Sequence, residues 1–189
     1  DSNGGIIIMS ELRTNRIIPR DGLTSGTGIG GGIIQVKSKT ITNTFDNNSE
    51  TFADITGVTV TITPTRSDSK ILVMYNGCGS LQGNNAYGHI RIVRVIGGST
   101  NTTIYVGDQG ESSQARTSSS ISGTQSYMLN AFSGTFMDAP ATTSAVIYKM
   151  QAAAGDSGVA MYIGRDHANS NEFSRARTPT SITVMEVSG

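Results

Sequence analysis

The chain has 189 residues, 15% of them charged and 6% aromatic, with 23 glycines, no tryptophan and a formal net charge of +0. That length holds one β domain and a tail, and the balanced charge excludes the cationic footprint that a nucleic-acid binder needs to displace counterions. With Cys78 as the single cysteine, an intrachain disulfide is excluded and folding needs no oxidising compartment, which fits folding in a cytoplasm.

The first 32 residues differ from the rest. Ile6, Ile7 and Ile8 make an apolar run too short for a signal peptide or a membrane span. Pro19 and the following Asp21-Gly22 stop any helix, so residues 1–24 read as an extended arm that pairs with something else. Residues 25–32 contain the tract Gly26-Thr27-Gly28-Ile29-Gly30-Gly31-Gly32, which has linker composition. From Ile33 to the end, 33–189, the dominant signal is period two, as in strands.

Ile33-Ile34-Gln35-Val36 opens the first strand. In Gly57–Thr63 the residues Val58, Val60 and Ile62 face one way and the threonines the other. Pro64 ends that strand. Lys70–Asn76 is apolar on both faces, as a central strand is expected to be. His89–Ile96 and Thr102–Val106 flank the turn at Gly97-Gly98-Ser99. The serine-rich stretch 111–123 reads as a long surface loop. Further strands are predicted at Ser126–Met137, Ser144–Ala152, Val159–Gly164 and Ser181–Val187. No window carries a sustained helical stripe. About eight to ten short strands at this spacing predict an all-β protein, an antiparallel β-sandwich of jelly-roll type with an extended N-terminal arm.

Little in the chain looks like catalysis. Gly155-Asp156-Ser157-Gly158 resembles the nucleophile segment of trypsin-like proteases, but that chemistry needs a His base and an orienting Asp around the serine. Between two strand patterns the same four residues make an ordinary hairpin turn. Gly26, Gly28 and Gly31 satisfy a dinucleotide-type spacing, yet a strand follows where a helix is required. His89, His167 and Cys78 lack the close spacing of a transition-metal site. The expectation is a non-enzymatic protein without cofactor or metal.

Two loops combine amides or carboxylates with an aromatic ring, a chemistry suited to sugars. One contains Asn84, Asn85 and Tyr87; the other contains Asp166, His167 and Asn169. They are the candidate receptor-contact loops, although Asn and Asp also populate β turns generally.

Several segments together carry a resemblance. They are Leu12–Gly22 with the glycine tract, Phe52-Ala53-Asp54-Ile55-Thr56-Gly57-Val58 with Ser69–Val73, Met137–Ser144 with Tyr148-Lys149-Met150-Gln151, and Ser181–Val187. Taken together, they resemble the small carboxy-terminal domains of marine, cyanophage-type phage fibre and virion structural proteins. The resemblance implies a virion component related to trimeric jelly rolls, with the arm docking on other virion proteins and loops available to a host glycan or protein. Ile6, Ile7, Ile8, Arg13, Ile17 and Ile18 are the expected anchoring residues, since exposed isoleucines invite strand addition. The expected partners are copies of the chain itself, as a homotrimer, and other virion proteins, with neither nucleic acid nor membrane insertion. A capsid decoration or neck component without receptor binding, and a lectin-like module, are the alternatives.

Overall fold

Alternation of β-branched and hydroxyl residues suits a half-buried pleated surface, and strands form where it occurs. The computed structural model describes residues 32–98, 101–111, 113–123 and 127–188. They contain β1 (Ile33–Ile41), β2 (Phe45–Asn47), β3 (Ala53–Ile62), β4 (Lys70–Leu81), β5 (Ala86–Ile96) and β6 (Thr102–Ile104). After these come β7 (Ser119–Gly123), β8 (Asn130–Asp138), β9 (Val146–Ala154), β10 (Met161–Ile163) and β11 (Thr180–Val187). No helix occurs among the described residues. The arm at 1–24 with Ile6, Ile7, Ile8, Arg13, Ile17 and Ile18, and the linker except Gly32, lie outside the described residues.

The strands form two antiparallel sheets. One runs β1-β11-β4-β8, and the short β10 and β2 continue the lanes of β11 and β1 along the far end of β4. The other runs β3-β9-β5-β7, with β6 beside the remaining length of β5. Apart from β5 with β6 and β7, neighbours in each sheet are distant in sequence, and the eight longer lanes interleave as the two Greek keys of a jelly roll do. The all-β antiparallel sandwich expected from the sequence is the fold observed.

Between the sheets lies an aliphatic core. Ile71, Val73 and Leu81 of β4 and Ile182 and Val184 of β11 pack against Val60, Ile62, Ile90, Ile92 and Met150 of the opposite sheet. The predicted alternation in β3 holds: Val58, Val60 and Ile62 are buried, and Thr59 and Thr61 are exposed.

Two tyrosines are fully inside, and both find partners for their hydroxyls, as buried polar groups must. Tyr75 donates to Ser118 O at 3.1 Å and meets Ser119 Oγ at 2.8 Å. Its ring fills the space over Gly134, where an added Cβ would stand 2.5 Å from the hydroxyl oxygen. Tyr148 donates to Asp138 Oδ2 at 2.7 Å, and Arg94 holds Asp138 Oδ1 at 2.7 Å. Burial and the neighbouring Asp138 push the Tyr148 phenol well up. This triad ties β8 of one sheet to β5 and β9 of the other.

Toward the β1 side of the same sheet Glu186 of β11 is 0% exposed and has no cationic partner among the described residues. Gln35 Nε2 donates to one oxygen at 2.6 Å, and Thr65 N and Oγ1 donate to the other at 2.7 Å each. Burial pushes this carboxyl up, but the hydrogen bonds outweigh it and hold the pKa at about 2. Glu186 thereby fastens both β1 and the loop after β3 to the sheet.

Two expectations need correction, and one strand, β2, was not expected. The stretch 111–123 is not all loop, because its last five residues form β7, with Ile121 buried against the core. The short β2 carries too few residues to show a period. Finally, β4 is central in its sheet, yet its second face is uncovered. Across that outer face Val36, Met185, Leu72 and Met137 form one cross-strand row, and Ser38, Thr183, Met74 and Thr135 form the next. Val36 and Met137 are 50% and 52% exposed. The outer face of the other sheet is mixed: Asp54, Gln151 and Arg91 form one polar row joined by hydrogen bonds of 2.6 and 2.7 Å, and the apolar Val93 and Val95 on that side are buried.

Candidate functional site: the arginine-lined loop 164–179

Along β4, β10 ends at Ile163 opposite Gly79, and β11 resumes with Ser181 opposite Asn76. Residues 164–179 are thus an excursion from one interrupted lane. Its two feet are pinned: Gly164 N donates to Cys78 O at 2.9 Å, and Thr178 N donates to Gly164 O at 3.1 Å. Gly164 sits at φ 77°, a conformation that L side chains rarely adopt. The loop lies over the outer face, because Tyr162 and Ser80, which point outward between buried neighbours, both touch it. Ser80 Oγ donates to Arg165 O at 3.1 Å, and the His167 ring packs on Tyr162 with centroids 5.3 Å apart.

Arg165 and Arg177 face each other in an isolated antiparallel bridge. With Arg175, Asp166, Glu172, Asn169, Ser170 and Asn171 they line a cavity of about 240 Å³. The Asp166 side chain is 3% exposed, and its Oδ1 accepts from Asn169 N at 2.7 Å, closing a turn with Asn169 at φ 49°. Arg175 lies between Asp166 and Glu172 at 3.5 Å from each. Those separations are ion pairs without hydrogen-bond geometry, so Asp166 Oδ2 and Arg175 Nε are buried and unsatisfied. Arg177 donates to Asn169 Oδ1 at 2.5 Å. Arg165 donates to the Asp166 and His167 carbonyls and lies 4.1 Å from the Tyr162 ring centroid. Neither Arg165 nor Arg177 pairs with a carboxylate among the described residues.

Two further aromatic rings stand nearby. Arg175 lies 4.5 Å over the ring of Tyr127, and Phe173, within the loop itself, is 110% exposed. A phenylalanine wholly in water forgoes the burial that normally places it inside.

Of the predicted receptor residues, Asp166 and Asn169 line this cavity, and His167 packs beside it. Asn84, Asn85 and Tyr87 do not join them. They belong to the β4–β5 turn and the start of β5, where Tyr87 points outward from the other sheet between buried Ala86 and Gly88. The arginines and Phe173 were not anticipated as a group. Their sequence signal is Arg165 with Arg175 and Arg177, which come together only when Arg165 bridges Arg177.

The Gly-Asp-Ser-Gly segment is the turn between β9 and β10. His89 meets Ser120 rather than Ser157, with Nδ1 and Oγ 3.3 Å apart, and Ser120 also donates to Gly88 O at 3.1 Å. Burial lowers the His89 pKa, and the charge of Asp156 acts against that shift. The arrangement lacks the Ser157–His89 contact that the protease reading would need. No group of three or more His, Cys, Asp or Glu suited to a metal ion occurs among the described residues.

The class of protein defined by these features is an all-β jelly-roll sandwich bearing a cationic, aromatic-rimmed loop. No family model matches the chain, and no curated protein is similar to it in sequence. Among solved structures it is similar to a chain from the structure of infectious bursal disease virus, Gx strain, with 11% identity and a TM-score of 0.34. That match covers 82% of this chain and 42% of the other, so the chain spans less than half of that structure's chain.

Proposed function

We propose that this protein is a non-enzymatic structural component of a virus particle, a phage fibre or appendage module that assembles as a homotrimer. The arm at 1–24 attaches it to other virion proteins, and the loops of the sandwich face the host surface. The observation that carries this reading is the exposed apolar row across the outer face of the β1-β11-β4-β8 sheet. Jelly rolls recur in viral capsid and lectin domains, but fold alone does not assign a role. What favours assembly is the row of Val36, Met185, Leu72 and Met137, which is apolar across all four strands, with Val36 and Met137 50% and 52% exposed. Second copies are the occupants that suit it, because an uncharged row meets its own copy without charge repulsion.

Size supports a symmetric assembly reinforced by other contacts. The two outward rows across four strands project roughly 19 by 14 Å, about 270 Å² per copy. A standard specific interface takes about 800 Å² from each partner. The remainder must come from elsewhere on the chain, and the isoleucines of the arm are apolar enough to supply it.

The test has two parts. Light scattering on the purified chain is expected to give a trimer, and deletion of residues 1–24 is expected to abolish incorporation into particles. A stable monomer, or normal incorporation of the truncated chain, would overturn the assignment. Host cells that neither bind the protein nor are protected by it from infection would favour a decoration or neck role.

A further inference from the structure

We infer that the cavity of loop 164–179 binds an acidic saccharide, with Arg165 and Arg177 taking its anionic group and Phe173 stacking on its ring. This deepens the proposed function and rests on it only for the biological setting.

The argument starts from charge. Like charges directly opposite in an antiparallel pair repel, and Arg165 and Arg177 are so placed. Both line the same cavity. The two carboxylates present, Asp166 and Glu172, are both engaged with Arg175. Two guanidiniums therefore share a cavity with no carboxylate of their own, and an anion bridging them would relieve the repulsion. Guanidinium is the side chain best matched to carboxylates and sulfate-type groups, which it grips through parallel N–H donors.

The remaining groups favour a sugar over a bare ion. Asn169 and Asn171 offer amides that both donate to and accept from hydroxyls. Asp166 Oδ2 and Arg175 Nε, held by ion pairs of 3.5 Å but without hydrogen-bond partners, leave hydrogen-bonding capacity at the cavity for a ligand hydroxyl. Phe173 does not line the cavity but follows the lining residue Glu172 in the same loop, and its fully exposed ring can meet the apolar face of a sugar unit that extends out of the cavity. The volume, about 240 Å³, is below the range of roughly 300–1,000 Å³ typical of drug-sized ligands. It suits one charged sugar unit of a longer chain. Nucleic acid is disfavoured by the balanced charge of the whole protein.

The experiment is calorimetric titration of the full chain with oligogalacturonate, a sulfated galactan oligosaccharide, a neutral galactan oligosaccharide and inorganic phosphate. Binding is expected for one or both acidic oligosaccharides, weakening as salt is raised, with no heat from the neutral one. Arg177→Gln is expected to weaken binding at least tenfold. Phe173→Ala is the second variant, because a side chain wholly in solvent can be removed without disturbing the fold. It is expected to weaken saccharide binding several-fold at an unchanged melting temperature. The inference is overturned if neither acidic oligosaccharide binds, or if the neutral one binds equally. It is also overturned if phosphate competes fully while Phe173→Ala has no effect, which would mean an adventitious ion only. Failure here leaves the trimer and the arm deletion untouched, so the two readings are separately refutable.

Discussion

Replacing Glu186 by Gln probes how a buried carboxylate without a cation is held. Three donors converge on it, from Gln35 Nε2, Thr65 N and Thr65 Oγ1. A glutamine amide has one acceptor oxygen, so if that oxygen serves Thr65, the new NH₂ faces the NH₂ of Gln35. Gln35 is itself fixed by donating to Thr63 O at 2.7 Å, so a flip to relieve the clash breaks that bond. Leaving one buried donor unsatisfied costs about 1–3 kcal/mol. For a chain of this length, each kcal/mol lowers the melting temperature by roughly 2–4 °C.

The pH dependence gives a second readout. The folded carboxyl has a pKa of about 2 against an ordinary 4.5. Its contribution is therefore complete above pH 4.5 and is lost as pH falls toward 2. Complete transfer of that shift into stability would set a ceiling of about 3 kcal/mol, and proximity to the solvent-facing edge strand reduces it to about 1–2 kcal/mol. Thermal denaturation followed by circular dichroism at pH 7 and at pH 3 measures both effects. E186Q is expected to melt several degrees below the native chain at pH 7, with the gap narrowing at pH 3. Equal melting temperatures at pH 7, or a gap that does not change with pH, would refute the account.

Asp138→Asn removes the charge that holds Arg94 and leaves an amide facing Tyr148. Breaking a buried pair on one side is expected to cost about 2–4 kcal/mol, read by urea denaturation, and a loss under 0.5 kcal/mol would mean that the triad adds little. Leu72→Lys places a charge in the middle of the apolar outer row while leaving the core untouched. It is expected to convert the trimer to monomers in light scattering at an unchanged far-ultraviolet spectrum, and an intact trimer would show that this face is not the interface.

Much of the sandwich was legible because its strands alternate. Val58, Val60 and Ile62 announced the inner face of β3, and the predicted Lys70–Asn76 became the first seven residues of β4. Where alternation was masked, the reading failed. Ser119–Gly123 alternates serine with Ile121 and Gly123, a pattern easily taken for low-complexity loop. The double-sided apolar character of β4 was correctly seen but implied a covered strand, whereas Leu72 and Met74 face outward. Burial is a property of the assembled sheet, and a period of two does not say what lies beyond each face.

The candidate site was half legible for a related reason. Asp166 and Asn169 stand close in sequence and form a local turn, so a short window contains them. Arg165 and Arg177 are brought together by a lane of sheet that stops at Ile163 and restarts at Thr180, which no local pattern records. That construction matters for function. A loop with both feet in one rigid sheet is largely ordered before a ligand arrives, so less affinity is lost to ordering it. The Asn84–Tyr87 turn, among the described residues, brings no cluster of charged side chains around a cavity. One small cavity binds one small group weakly. If copies meet along the sheet that bears the loop, the same cavity is repeated around the axis, and linked weak sites can exceed a single one by two to four orders of magnitude. The apolar rows and the arginine loop, which share one face of the sandwich, would then serve a single purpose.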